Sequence, residues 1–164
     1  MTRFLSAIFL LYAAIIFVAL MFVALPFVLI FSAILPLNTG KRAILAVLRV
    51  WAWLFSALSF LWITTKNKSK VDRSKSHIYV GNHGSYLDAV AVCISIPQYF
   101  SALGKVEITK VPVFGLIYKR IVVLIDRSSR ESREISVAAL KRDIANGQSV
   151  LIFAEGTMHQ TTKP

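Results

Sequence analysis

Apolar residues are concentrated at the start of this chain. From Phe4 to Leu37 no charged residue interrupts 34 positions. About 20 apolar residues already cross a hydrocarbon core of roughly 30 Å at 1.5 Å per residue. The pattern predicts a membrane helix over 4–25, with Pro26 marking a kink or an end, and leaves 27–35 too short to cross alone. Asn38-Thr39-Gly40 reads as a turn, followed by Lys41-Arg42. A second apolar segment, Ile44 to Ile63, carries one charge, Arg49, and three tryptophans, Trp51, Trp53 and Trp62. Tryptophan and arginine favour the membrane interface, so this segment either spans or lies in the interface plane. Arg3 ahead of the first segment imitates a secretory signal. Its apolar run far exceeds the roughly 7–15 residues of a signal core, which favours a retained anchor.

The pattern changes at Thr65. Lys66, Lys68, Lys70, Arg73 and Lys75 stand against Asp72 alone, and basic residues beside a membrane segment favour the cytoplasmic face and anionic lipid. This divides the chain into a two-helix membrane element, 1–65, and a second domain, 66–164. The second domain alternates short β-prone runs with helical ones. Strands are predicted at Ile78–Val80, Tyr99–Leu103, Ile121–Ile125 and Ser149–Phe153. Helices are predicted from a Ser85 cap to Ile94, at Val113–Lys119 and at Ser132–Ala145, the last stopped by Asn146-Gly147. Continuous apolar strands alternating with helices predict an α/β fold with a mostly parallel sheet flanked by helices.

Composition narrows the function. Of 164 residues, 56% are hydrophobic and 16% charged, which excludes a disordered chain. Cys93 is the single cysteine, so no internal disulfide forms. A net charge of +11 raises nucleic acid as a partner. However, 12 of the 19 aromatic residues precede residue 66 and are unavailable for base stacking, and the later basic residues fall in no nucleic-acid motif. No nucleic-acid partner is expected.

The residues after each strand carry the chemistry. His83, Lys105, Arg127 and Glu155-Gly156-Thr157 follow the four runs in turn. In a parallel sheet they share the carboxyl rim, where α/β folds bind ligands. His83 and Asp88, separated by four residues in Asn82-His83-Gly84-Ser85-Tyr86-Leu87-Asp88, meet only if the histidine lies in a loop and the aspartate in the first helical turn. A carboxylate on imidazole selects one tautomer, as a general base requires. Ser85-x-x-Asp88 is equally a capping box, and the spacing alone leaves both readings open.

Asn-His-x-x-x-x-Asp, then Gly115 and Ile125-Asp126-Arg127, then Phe153-Ala154-Glu155-Gly156-Thr157 together resemble the glycerolipid acyltransferases of the lysophosphatidate acyltransferase family. The resemblance covers roughly 66–160 and extends to the preceding hydrophobic helices. It implies acyl transfer from acyl-CoA or acyl carrier protein to the 2-hydroxyl of 1-acylglycerol 3-phosphate (lysophosphatidate), giving phosphatidate in phospholipid biosynthesis. In that reading His83 takes the hydroxyl proton and Asp88 orients it. Arg127 holds the acceptor phosphate, with Lys105 adding charge. Glu155, Gly156 and Thr157 shape the acceptor site, with backbone N–H groups near Gly156 for the oxyanion. No metal and no cofactor is implied, since the acyl donor is a substrate.

The third motif departs from the family at Ala154 and Met158, where proline and arginine are usual, which opens a different lysolipid acceptor. The chain ends at Pro164, before a fourth motif, and so reads as C-terminally truncated. An inactive, membrane-anchored lipid-binding relative is the alternative. A hydrolase using Ser85 lacks the Gly-x-Ser-x-Gly elbow.

Overall fold

Pro36 divides the apolar N-terminal segment into two helices. In the computed structural model, which describes residues 2–85 and 87–154, α1 spans Thr2–Ile34 and α2 spans Leu37–Leu58. They form one of two compact units, Met1–Thr64 and Thr65–Pro164. Contrary to an ending at residue 25, α1 continues through Pro26. The ring removes one backbone donor, but the long apolar flanks keep the rest of the helical ladder intact. Asn38-Thr39-Gly40 is likewise not a turn. Gly40 N–H donates to Pro36 O at 2.8 Å, making this the first turn of α2.

Within this unit the helices pair antiparallel. Tyr12 Oη donates to Leu58 O at 2.8 Å, and Phe17 meets Trp51 and Phe55 edge-on at centroid distances of 5.0 and 5.6 Å. A Cβ at Gly40 would lie 3.2 Å from Phe31 O, so the small residue permits the close approach. Ile44, Leu45, Leu48, Trp51, Ala52 and Phe55 are buried at three- and four-residue spacing. Trp51, read as an interfacial tryptophan, is therefore core, whereas Trp53 and Trp62 are exposed. Among the described residues one helix, α1, is long and apolar enough to cross a membrane, over Arg3–Ile34. At about 50 Å it exceeds a hydrocarbon core of roughly 30 Å.

The second unit is α/β. Its strands are β1 (Ile78–Gly81), β2 (Phe100–Lys105), β3 (Val122–Ile125) and β4 (Ser149–Phe153). They lie in the order β1-β4-β2-β3 with every pairing parallel. The connections carry α3 (Asp88–Ser95), α4 (Phe114–Tyr118) and α5 (Arg130–Ala145), with 3-10 turns at Lys68–Lys70 and Val106–Lys110. Ser129 caps α5, its side chain accepting Ser132 N–H, and Gly147, at φ +75°, follows the helix end.

The basic stretch before β1 is partly turned inward. Lys68 Nζ donates to Ile94 O at the carboxyl end of α3, where a cation is favoured. Thr65 Oγ1 donates to Ser95 Oγ at 3.1 Å. Gln98 ties the amino ends of β1 and β4, donating to Ser149 Oγ at 2.7 Å and accepting from Tyr79 Oη at 3.0 Å. These contacts fix the sheet end opposite the rim that carries the motif residues.

Candidate active site

The loop between β1 and α3 folds back on one carboxylate oxygen. Asp88 Oδ2 lies 2.8 Å from His83 Nδ1 and accepts the backbone N–H groups of Gly84 and Ser85, each at 3.0 Å. Asp88 opens α3, and a carboxylate in the first turn faces the positive end of the helix dipole. It thus caps the turn and contacts imidazole together. Ser85 Oγ accepts Leu87 N–H at 3.1 Å, a local turn contact. With Nδ1 donating to the carboxylate, the free lone pair of His83 is on Nε2.

A second contact fixes the imidazole plane. The ring stacks on Phe153 at 4.5 Å between centroids, 25° from parallel. Phe153 is level with Gly81 across the β1–β4 pair, and a Cβ at Gly81 would stand 3.4 Å from its ring. Glycine at the end of β1 leaves the aromatic ring room to lie over the strand. The histidine and aspartate side chains retain 30% and 22% exposure, so the pair is shielded yet reachable. A cavity of about 260 Å³ opens beside Asp88, between α3 and the β1–β4 face, lined by Tyr79, Gly81, Val92 and Phe153 among others.

The other motif residues are spread along the same rim. Strand order places β4 between β1 and β2, with β3 at the far edge. At roughly 4.8 Å per strand, Arg127, two residues beyond β3, starts about 14 Å across from His83. Lys105 ends β2, and by register it shares the face of Val150 and Val80, not that of Gly81 and Phe153. The structure therefore brings His83 and Asp88 together and leaves Lys105 and Arg127 displaced from them. Glu155, Gly156 and Thr157 lie outside the described residues.

Three residues of this rim carried no assigned role in the sequence, although Asp126 and Phe153 stand within its motifs. Phe153 supports the imidazole. Asp126 shapes the loop bearing Arg127: its Oδ1 accepts Ser128 N–H at 2.9 Å and the Ser128 hydroxyl at 2.6 Å. Those two bonds hold its carboxyl below the ordinary 3.8, against a smaller opposing effect of desolvation. Tyr118 lies over Gly104, where an added Cβ would collide with its hydroxyl. Gly115 seats the helix that carries it, since a Cβ there would strike the Thr109 backbone. Val113, ahead of that helix, sits at φ 62°, ψ −59° in a rare γ-turn closed by Phe114 N–H to Pro112 O at 2.6 Å.

Residues 62–164 match the family model named Acyltransferase. The chain belongs to that acyltransferase family. An uncharacterized acyltransferase of Schizosaccharomyces pombe is 32% identical over 101 residues, which is 60% of this chain and 36% of that protein. The crystal structure of the 1-acyl-sn-glycerophosphate (LPA) acyltransferase PlsC from Thermotoga maritima superposes with a TM-score of 0.76 at 20% identity, covering 97% of this chain and 64% of that one. The second match establishes a shared fold. This acyltransferase-family chain spans about a third of the curated relative and less than two thirds of the solved structure.

Proposed function

We propose that this protein transfers an acyl group from a thioester, acyl-CoA or acyl carrier protein, to the 2-hydroxyl of lysophosphatidate, giving phosphatidate. The supporting observation is the His83–Asp88 contact at 2.8 Å, with Nε2 left as the basic nitrogen. Family membership supplies the reaction class. The acceptor follows from the motif resemblance and from the printed activity of the solved relative.

The chemistry is a single proton-coupled attack. His83 Nε2 removes the acceptor hydroxyl proton as its oxygen attacks the thioester carbonyl. Asp88 stabilises the imidazolium that forms, while the Phe153 stack keeps the ring in plane. The tetrahedral intermediate collapses with loss of the thiolate, which recovers the proton from His83. The N–H groups of Gly84 and Ser85 are engaged by Asp88, so oxyanion stabilisation is assigned to backbone near Gly156. Arg127 holds the phosphate and Lys105, from the opposite face of the same rim, adds positive charge to the field, with Glu155 and Thr157 completing the acceptor site. The apolar α1 anchors the protein in the membrane, with the second unit on the cytoplasmic face.

The test is thiol release from acyl-CoA by membranes carrying the chain, with and without lysophosphatidate, beside His83→Ala. Release that requires both acceptor and His83 supports the reading. A wild-type chain that is membrane-bound and folded yet releases no thiol with either donor overturns it in favour of a non-catalytic lipid-binding role.

A further inference from the structure

The face that carries His83 has a second polar group, two strands away. In the β1–β4 register Gly81 is level with Phe153, and in the β4–β2 register Leu151 is level with Ala102. Continuing the latter by two residues brings Gly104 level with Phe153 on the same face. The row thus runs glycine, phenylalanine, glycine. His83 stacks over the phenylalanine, and the Tyr118 hydroxyl occupies the space above the second glycine.

We propose that Tyr118 is a specificity-determining residue of the acceptor subsite, its hydroxyl donating to the anionic headgroup from above Gly104. The proposal rests on the reading of the acceptor as a lysophospholipid. Two strand spacings separate β1 from β2, about 10 Å. A hydrogen bond of about 3 Å at His83 and another at the phosphate leave about 4–5 Å between them. The glycerol path from reacting hydroxyl oxygen to phosphate oxygen, about five bonds of roughly 1.5 Å in zigzag, covers that gap. Arg127, one strand further, then approaches the phosphate from its far side.

The local setting suits a donor. Phe114 stacks on Tyr118 at 5.6 Å, 28° from parallel, and fixes the ring. Burial raises the phenol above its ordinary 10.0, with the Lys105 backbone N–H and then the Arg127 charge opposing and Glu107 reinforcing. The hydroxyl therefore keeps its proton at neutral pH. The backbone N–H occupies an oxygen lone pair and leaves that proton for an anion. A charge-assisted bond of this kind favours a phosphate over a neutral headgroup.

The experiment compares the full chain in detergent with its Tyr118→Phe variant, which keeps the ring stack. Binding of glycerol 3-phosphate, with glycerol as the neutral control, is measured calorimetrically and needs no turnover. We expect wild-type binding weakened at least about tenfold in Tyr118→Phe. In the transfer assay KM for lysophosphatidate rises about tenfold while kcat, and KM for a neutral monoacylglycerol, stay fixed. Equal affinity in the two proteins, no glycerol 3-phosphate binding by wild type, or equal KM rises for both acceptors overturns the assignment. Wild type that binds glycerol 3-phosphate but transfers nothing refutes the transferase reading, and the binding comparison then decides Tyr118 alone.

Discussion

His83 and Phe153 lie ring on ring, 4.5 Å apart at their centroids, although 70 positions separate them in the chain. The parallel pairing of β1 with β4 makes the contact, because it sets Gly81 level with Phe153. One strand thus leads into the loop that carries His83, and its neighbour supplies the surface on which the imidazole rests. Replacing Phe153 with Ala removes the support without touching the His83–Asp88 contact. The expected outcome is a fall in kcat of about tenfold or more. Destabilisation should stay below the about 3–5 kcal/mol of a fully buried phenylalanine, since Phe153 is half-buried. Kinetics beside a thermal melt separates the two effects.

His83→Ala should lower transfer by about 10²–10⁴-fold, the usual range for a general base. Asp88→Asn tests the pair differently. The amide oxygen still accepts the Gly84 and Ser85 N–H groups, so the melt should move little, while the loss of charge at Nδ1 should lower kcat. A large stability loss with unchanged kcat per folded molecule would make Asp88 a capping residue only.

The two tight glycines should not respond alike. At Gly104 an added methyl meets the tip of Tyr118 and a Val122 methyl, which can shift; at Gly115 it meets the Thr109 backbone, which cannot. Both overpack by an amount in the range of about 1–3 kcal/mol. Gly115→Ala should lie at the upper end and Gly104→Ala at the lower. Urea melts of the two variants give the order directly.

Asp126 supplies a pH signature in the Arg127 loop. Its folded carboxyl titrates below 3.8 because Ser128 donates two hydrogen bonds to it. A depressed carboxylate contributes stability above its unfolded value and loses it as pH falls through the folded one. The loop should therefore stay ordered at pH 5 and loosen only in acid below 3.8. Ser128→Ala should move the Asp126 midpoint upward toward 3.8, read by carboxyl NMR shifts.

Much of this site was legible as chemistry before it was legible as geometry. Asn82-His83 through Asp88 carries both members of the pair, and the strand–loop–helix pattern places them at the one junction where they meet. Whether Asp88 caps a helix or contacts imidazole is not a choice that spacing makes; a single oxygen does both. Asn38-Thr39-Gly40 misled for the opposite reason: a local turn signal was outweighed by α2 packing on α1. Pro26, read as a kink or an end, is not an end, because the apolar flanks continue the helix past it.

Periodicity and composition determined the elements of this protein: an apolar first unit, four β-prone runs, the helices between them and the polar residue after each strand. Those signals are local, set by neighbours within a few residues. Strand order is not local. The β1-β4-β2-β3 order, its register and the packing of α4 decided that Phe153 supports His83, that Arg127 begins about 14 Å away, that Lys105 falls on the opposite face, and that Tyr118 stands over Gly104 beside Phe153. Parallel pairing joins segments far apart in the chain, and the choice among pairings rests on side-chain packing across the whole sheet. Only the folded structure contains that information.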